Sequence, residues 1–251
     1  MPIDTRLIAF DLDDTLAPSK APLPDPVAAV LTRLLEVTAV AIISGGQIAQ
    51  FREQVIARLT DASSEGLGRL HLMPVTGTQY WRYVDGAWAL QYEDGLSAAE
   101  KAAALASIEA TAKELGYWEA ETWGPILEDR GSQITFSALG QRAPVEAKKA
   151  WDPTGEKKSR LASAVQEQLP GLSVRSGGST SIDITRAGVD KGYALDRLVA
   201  VSGIAIEDMV FVGDRLDPDG NDFPVVRTGV RTHAVTGWED TVAYLEGLLE
   251  G

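Results

Sequence analysis

The stretch Leu7 to Leu16, LIAFDLDDTL, constrains this chain more than any other, because four consecutive apolar residues end abruptly in acids. Leu7 to Phe10 has no helical period, so it reads as a strand buried on both faces of a parallel sheet. Asp11 and Asp13 then leave the sheet at its carboxyl edge, the side on which α/β folds bind ligands. Paired carboxylates at such an edge suit a hard divalent cation. A magnesium ion held there neutralises a phosphate and leaves an oxygen of Asp11 free to attack phosphorus, while Asp13 is placed to protonate the leaving oxygen. Taken alone, the pair also admits a lesser reading, a solvated acidic turn after a strand.

The same strand-helix rhythm runs on. Asp25 and Pro26 open a helix whose Val27, Val30, Leu31 and Leu34 share one face. Thr38 to Ile43 reads as a second buried strand, and Ser44-Gly45-Gly46 starts a helix through Val55 and Leu59. Near the C-terminus Lys191 to Ser202 reads as a helix and Met209 to Val212 as a strand ending in Gly213-Asp214, with Val225, Val226 and Val230 suggesting another short strand. Two α/β segments at opposite ends of a chain are most economically one doubly wound sheet interrupted by an insertion. Between about Tyr83 and Arg186 the pattern changes to alternating pieces, Ser132 to Leu139 and Ser179 to Thr185, with turn signals and helices over Ala98 to Leu115 and Lys157 to Leu169. The expected fold is therefore α/β, with a Rossmann-like core (1–82 and 187–251) carrying a parallel sheet, and an inserted α/β cap domain (83–186).

A formal charge of −13 argues against nucleic acid or an anionic membrane as partner. The absence of cysteine removes disulfides, thiolate metal sites and thiol catalysis, so any metal is held by oxygen or by the two histidines. His71 and His233 are far apart in sequence and read as surface or packing residues. The opening MPIDTR lacks a signal peptide's apolar run, and no segment approaches the roughly 18 uninterrupted apolar residues of a membrane span, so a cytoplasmic protein is expected. Trp81, Trp88, Trp118 and Trp123 fall in and near the cap, mostly as core residues.

Three further segments add to the first. Ser44 and Gly45 end the second strand where a hydroxyl and helix-start amides hold phosphate oxygens, although a plain helix cap looks the same. Lys191, in DITRAGVDKGYAL, is placed to offset the charge of nucleophile and phosphate. Asp214, with Asn221 and Asp222 in GDRLDPDGND, again puts acids after a buried strand and completes a cation's oxygen shell, Asp214 directly and the other two through water.

In this order LIAFDLDDTL, AIISGG, VDKGYAL and FVGDRLDPDGND resemble the four motifs of the haloacid dehalogenase superfamily of phosphatases and phosphomutases. The resemblance implies Asp11 as the nucleophile that forms an aspartyl-phosphate and Asp13 as acid/base, its backbone carbonyl also on the metal. It implies Ser44, Gly45 and Lys191 as phosphate holders and Asp214 as a ligand of Mg2+. The insertion lies between the second and third motifs and looks like the larger α/β caps of subclass IIB, which includes sucrose phosphatase and, with the greater likeness, the eukaryotic-type phosphomannomutases. By that likeness Arg130, leading into GSQITFSALGQR, Arg142, Ser181, Asp183 and Lys20 are substrate-binding residues.

Two departures stand out. Asp14 occupies a glycine position of the phosphomannomutase loop, and Gln141 replaces a second phosphate-binding arginine, with Arg142 adjacent. A mutase binds phosphate at either end of a sugar, so the loss of a cap cation favours a phosphatase. The expectation is a magnesium-dependent phosphohydrolase of a phosphorylated small-molecule sugar, monomeric or homodimeric. An intramolecular phosphotransferase is the alternative, and a non-catalytic sugar-phosphate-binding module is the rival from another class.

Overall fold

The computed structural model describes residues 5–177 and 180–250, so Ser179 lies outside the described residues. In chain order the first elements are β1 (Leu7–Phe10), α1 (Asp25–Leu35), β2 (Ala39–Ile43), α2 (Ile48–Gln54), α3 (Ser64–Gly68), β3 (Leu70–Met73), β4 (Gln79–Val84) and β5 (Ala87–Glu93). There follow α4 (Ala98–Glu114), β6 (Leu127–Asp129), β7 (Gln133–Ser137), α5 (Val145–Trp151), α6 (Glu156–Gln168), β8 (Leu172–Ser176) and β9 (Ser181–Arg186). The chain ends with α7 (Lys191–Ser202), β10 (Met209–Gly213), β11 (Arg231–Ala234) and α8 (Trp238–Glu250). It divides into two compact units, Met1–Glu93 with Asp190–Gly251, and Asp94–Val189.

The first unit is a seven-stranded sheet in the order β11-β10-β1-β2-β3-β4-β5. The first five of these strands run parallel, whereas β4 and β5 form an antiparallel hairpin on the β3 side. Alternate residues explain why the central strands carry no polar side: Ile8 and Phe10 pack with Leu31, Leu34 and Leu245 on one face. Leu7 and Ala9 pack with Leu195 and Leu198 on the other. The expected boundary near 82 falls within β4, and the hairpin stays with this sheet; Trp81 and Trp88 accordingly pack against its core.

Two expectations give way. Val225 and Val226 lie in a 3-10 helix over Phe223–Thr228, because Pro224 favours a helical start and Gly229, at φ 80°, ends it; the strand begins at Arg231. The helix after Gly46 stops at Gln54 and passes into a separate 3-10 turn over Ile56–Arg58, short of Leu59.

The second unit is an antiparallel sheet in the order β6-β7-β9-β8. Ile134, Phe136, Ile182 and Ile184 pack with Ile108 of α4 and Leu161 and Val165 of α6. A reciprocal cap starts α4: Ser97 Oγ accepts the Glu100 N–H at 3.2 Å, and Glu100 Oε2 accepts the Ser97 N–H at 2.7 Å. The half-exposed strand expected over Ser132 to Leu139 is instead buried along β7, Gln133, Thr135 and Ser137 included. Trp118 packs on this core, while Trp123 is exposed.

Candidate active site

The sheet order reverses direction at β1. The chain moves from β1 outward to β2 and β3, then returns to β10 on its other side. Such a switch point leaves a crevice beyond the carboxyl ends of the strands. Phe10 lies opposite Val212 there, and the Asp11 N–H donates to the Val212 carbonyl at 3.0 Å, so Asp11 is fixed as the first residue past the sheet.

Lys191 opens α7, whose cap Asp190 accepts the Tyr193 N–H at 2.9 Å. The Lys191 Nζ stands 2.6 Å from Asp11 Oδ1 and also donates to Asp222 Oδ1. All three side chains are buried. The other oxygen of Asp222 accepts the Arg215 N–H at 3.1 Å, so both oxygens of this acid are taken up by the protein. Burial pushes the Asp11 carboxyl up to about 7, against the opposing pull of the Lys191 ammonium. Burial alone would lower Lys191, but Asp11 and Asp222 outweigh it and hold the ammonium above its ordinary value.

Asp214 directly follows β10, and its Oδ1 accepts the Thr15 hydroxyl at 3.2 Å; burial first, then the charge of Asp222, raises its carboxyl. Asp11, Asp214 and Asp222 offer carboxylate oxygens within 4.8 Å of one another. Three acids around one ammonium carry surplus negative charge, and an all-oxygen donor set with that surplus fits Mg2+. Asp11 and Asp214 are the better suited of the three, given the engagement of Asp222.

Asp13 is half buried, and its Oδ1 accepts the Lys20 N–H at 2.7 Å. Asp14 sits at φ 63°, the left-handed region that glycine adopts most readily and that aspartate tolerates. The Asp14 N–H donates to the Ala17 carbonyl at 2.7 Å and its Oδ1 accepts the Ser19 N–H at 3.1 Å, folding the segment back beside Asp13. Ser44 is buried at the end of β2, its Oγ accepting the Gly46 N–H at 3.2 Å, while Gly45 is exposed. Asn221 is exposed beside Asp222. The Lys20 side chain is likewise exposed.

The remaining residues lie on the second unit's sheet. Arg130 donates through Nε and Nη2 to Glu128 Oε2, at 3.0 and 2.8 Å. Asp183 Oδ1 accepts Gln133 Nε2 and the Thr135 hydroxyl, both at 2.7 Å, and burial raises its carboxyl. Ser181 Oγ meets Ser137 Oγ at 3.2 Å. The Arg142 side chain is exposed and packs over Gly124, whereas the Gln141 Nε2 is buried with no hydrogen-bond partner. Sequence reasoning missed Thr15, Gln133 and Thr135. The first lay in plain view inside DLDDT, but the other two alternate with apolar residues as any solvated strand does.

The sheet order and the interruption between β5 and α7 define a haloacid dehalogenase-like fold. A haloacid dehalogenase-like hydrolase from Bacteroides thetaiotaomicron matches with a TM-score of 0.67 at 16% identity, over 97% of this chain and 99% of that one. Residues 120–251 match the family model of eukaryotic phosphomannomutase, and the chain belongs to that family. The phosphomannomutase of Saccharomyces cerevisiae is 24% identical over 96% of this chain and 93% of its own length. That of Schizosaccharomyces pombe is 26% identical over 98% and 97%. The chain is thus an enzyme of the haloacid dehalogenase superfamily. Among the described residues no helix is long and apolar enough to cross a membrane.

Proposed function

We propose that this enzyme hydrolyses a phosphorylated sugar through an aspartyl-phosphate on Asp11. The observation that carries the reading is Lys191 Nζ at 2.6 Å from Asp11 Oδ1, braced from behind by Asp222. An ammonium so held offsets the repulsion between a carboxylate nucleophile and an incoming phosphate. Ser44 and the Gly45 N–H are the proposed holders of the phosphoryl oxygens. Asp11 attacks phosphorus and the sugar oxygen leaves with a proton from Asp13, whose carboxyl is oriented by the Lys20 N–H. Asp13 then takes a proton from the water that cleaves the aspartyl-phosphate, returning Asp11 to its carboxylate.

Asp11 and Asp214, with the Asp13 carbonyl, would hold Mg2+, and Asn221 and Asp222 would act around it through water. When bound, that ion supplies charge neutralisation at the transferring phosphoryl group. On the second unit Arg130, Arg142, Ser181 and Asp183 are the proposed sugar-side residues, with Lys20 on the first.

Membership of the phosphomannomutase family favours a second reading, in which the acceptor is a hydroxyl of the bound sugar rather than water. Gln141 favours hydrolysis, because a neutral amide holds a remote phosphate less well than a guanidinium does. Incubation with mannose 1-phosphate, Mg2+ and a hexose bisphosphate separates the two. Free phosphate is expected to accumulate faster than mannose 6-phosphate, and Asp11→Asn is expected to lower turnover by about four orders of magnitude or more. Mannose 6-phosphate outpacing free phosphate would replace hydrolysis with the mutase. Absence of turnover for any phosphate ester would remove both.

A further inference from the structure

The most unusual backbone in the first unit lies just past β3. Val75 has φ 48°, Thr76 φ 56° and Gly77 φ 77°, three successive residues in the left-handed region. Glycine is at home there, but two β-branched residues are not, since their Cβ substituents crowd the neighbouring carbonyls. Such outliers persist only where their surroundings over-determine them, and they concentrate at functional sites.

The surroundings here are the second and third motifs. The Thr76 N–H donates to the Ser44 carbonyl and the Val75 N–H to the Gly46 carbonyl, both at 2.9 Å, so the turn is tied by its backbone to the phosphate loop. Gly77 abuts α7 one turn beyond Lys191: a Cβ on it would lie 2.5 Å from the Ala194 Cβ. The Tyr92 hydroxyl donates to the Gly77 carbonyl at 2.8 Å and closes the far side. Val75 is buried, whereas Thr76 is partly exposed. Its Oγ1 lies 3.8 Å from where a Cβ on Gly45 would stand, beside the exposed Gly45 that the proposed function assigns to phosphate.

We propose that Thr76 is a further phosphate-site residue, its hydroxyl donating to a non-bridging oxygen of the bound phosphoryl group beside the Gly45 N–H. The strained turn presents that hydroxyl at the rim of the loop while the Val75 side chain anchors it in the core. An ordinary glycine or asparagine turn would satisfy the backbone more easily and supply no hydroxyl there. This inference rests on the reading of Ser44 and Gly45 as phosphate holders.

The test is calorimetric titration of the full-length protein with inorganic phosphate and with orthovanadate, in Mg2+. Thr76→Val keeps shape and β-branching but loses the donor, and is expected to weaken both anions about tenfold or more, as loss of a hydrogen bond to a charged group does. Thr76→Ser keeps the donor and is expected to bind within about threefold of wild type, with melting temperatures of all three proteins close together. Equal affinity in wild type and Thr76→Val would overturn the role of Thr76 alone, as would an equal loss in Thr76→Ser. A wild type that binds neither anion would instead remove the phosphate reading of the loop, and this inference with it.

Discussion

The two units solve polar burial in opposite ways. At the carboxyl edge of the first sheet, Asp11 and Asp222 hold an ammonium between them, with Asp214 close by, and the cluster is charged. On the second sheet, Gln133 and Thr135 donate to the carboxylate of Asp183, Ser137 and Ser181 meet through their hydroxyls, and Arg130 is neutralised locally by Glu128. Under the proposed function the first arrangement changes charge during the reaction, while the second offers largely neutral donors and acceptors of the sort that read hydroxyl groups. A charged cluster tolerates no missing member, because the remaining charges are then buried without partners. A neutral network degrades by one hydrogen bond at a time.

That contrast predicts its largest effect at Lys191. Lys191→Met is expected to lower turnover by about three orders of magnitude and to destabilise the fold by about 3–5 kcal/mol in the absence of metal, since Asp11 and Asp222 would face each other unpaired. Chemical denaturation with and without Mg2+ measures the second part. Added Mg2+ should recover part of the loss by neutralising Asp11. A stability equal to wild type would mean that the ion pair does not hold the two motifs together.

Asp183→Asn probes the other unit. Its amide still accepts from Gln133 or Thr135 but brings its own donors into a donor-rich spot, so the expected cost is one or two hydrogen bonds, roughly 1–3 kcal/mol. If the network reads substrate hydroxyls, KM rises about tenfold with kcat within about threefold, a split that uniform binding residues produce. A fall in kcat like that of Lys191→Met would erase the distinction between the two units.

The contrast also explains what the sequence let one read. The charged cluster was legible because two of its acids follow short apolar runs, Asp11 after LIAF and Asp214 after MVFVG, and Lys191 stands at the start of a well-capped helix. Few plain surface segments imitate acids stranded at the end of a buried strand. The braces were less legible. Nothing local says that Asp222, 31 residues beyond Lys191, receives its ammonium, because that contact depends on how the loop after β10 folds back. The neutral network was nearly invisible, since Gln133 and Thr135 have the period-two pattern of a solvated strand and only the three-dimensional fold buries them. The 3-10 helix at Phe223–Thr228 was misread for a related reason: two adjacent valines suggest a strand until the proline between them and Asp222 is given its due.

The smallest effect expected lies away from both sites and tests whether the first unit keeps charge at its edge alone. His71, in β3, is buried; its Nδ1 meets the Tyr80 hydroxyl at 2.8 Å, and Arg82 Nη1 donates to that same oxygen at 3.0 Å. With Arg82 donating to it, the hydroxyl gives its own proton to Nδ1, which requires a neutral imidazole. Burial, and then the Arg82 charge, lowers the imidazole to about 3. The unfolded chain therefore takes up this proton near pH 6.5 while the folded chain does not, so the stabilisation is complete above that value and is lost progressively as pH falls toward 3. Between pH 6 and pH 5 the loss is about 1 kcal/mol. His71→Gln keeps an acceptor for Tyr80 but does not titrate, so the stability difference between the two proteins, measured by urea denaturation, should shrink by that amount over the same interval. A difference independent of pH would mean that His71 is protonated inside the sheet, and that the core of this unit carries buried charge beyond its carboxyl edge.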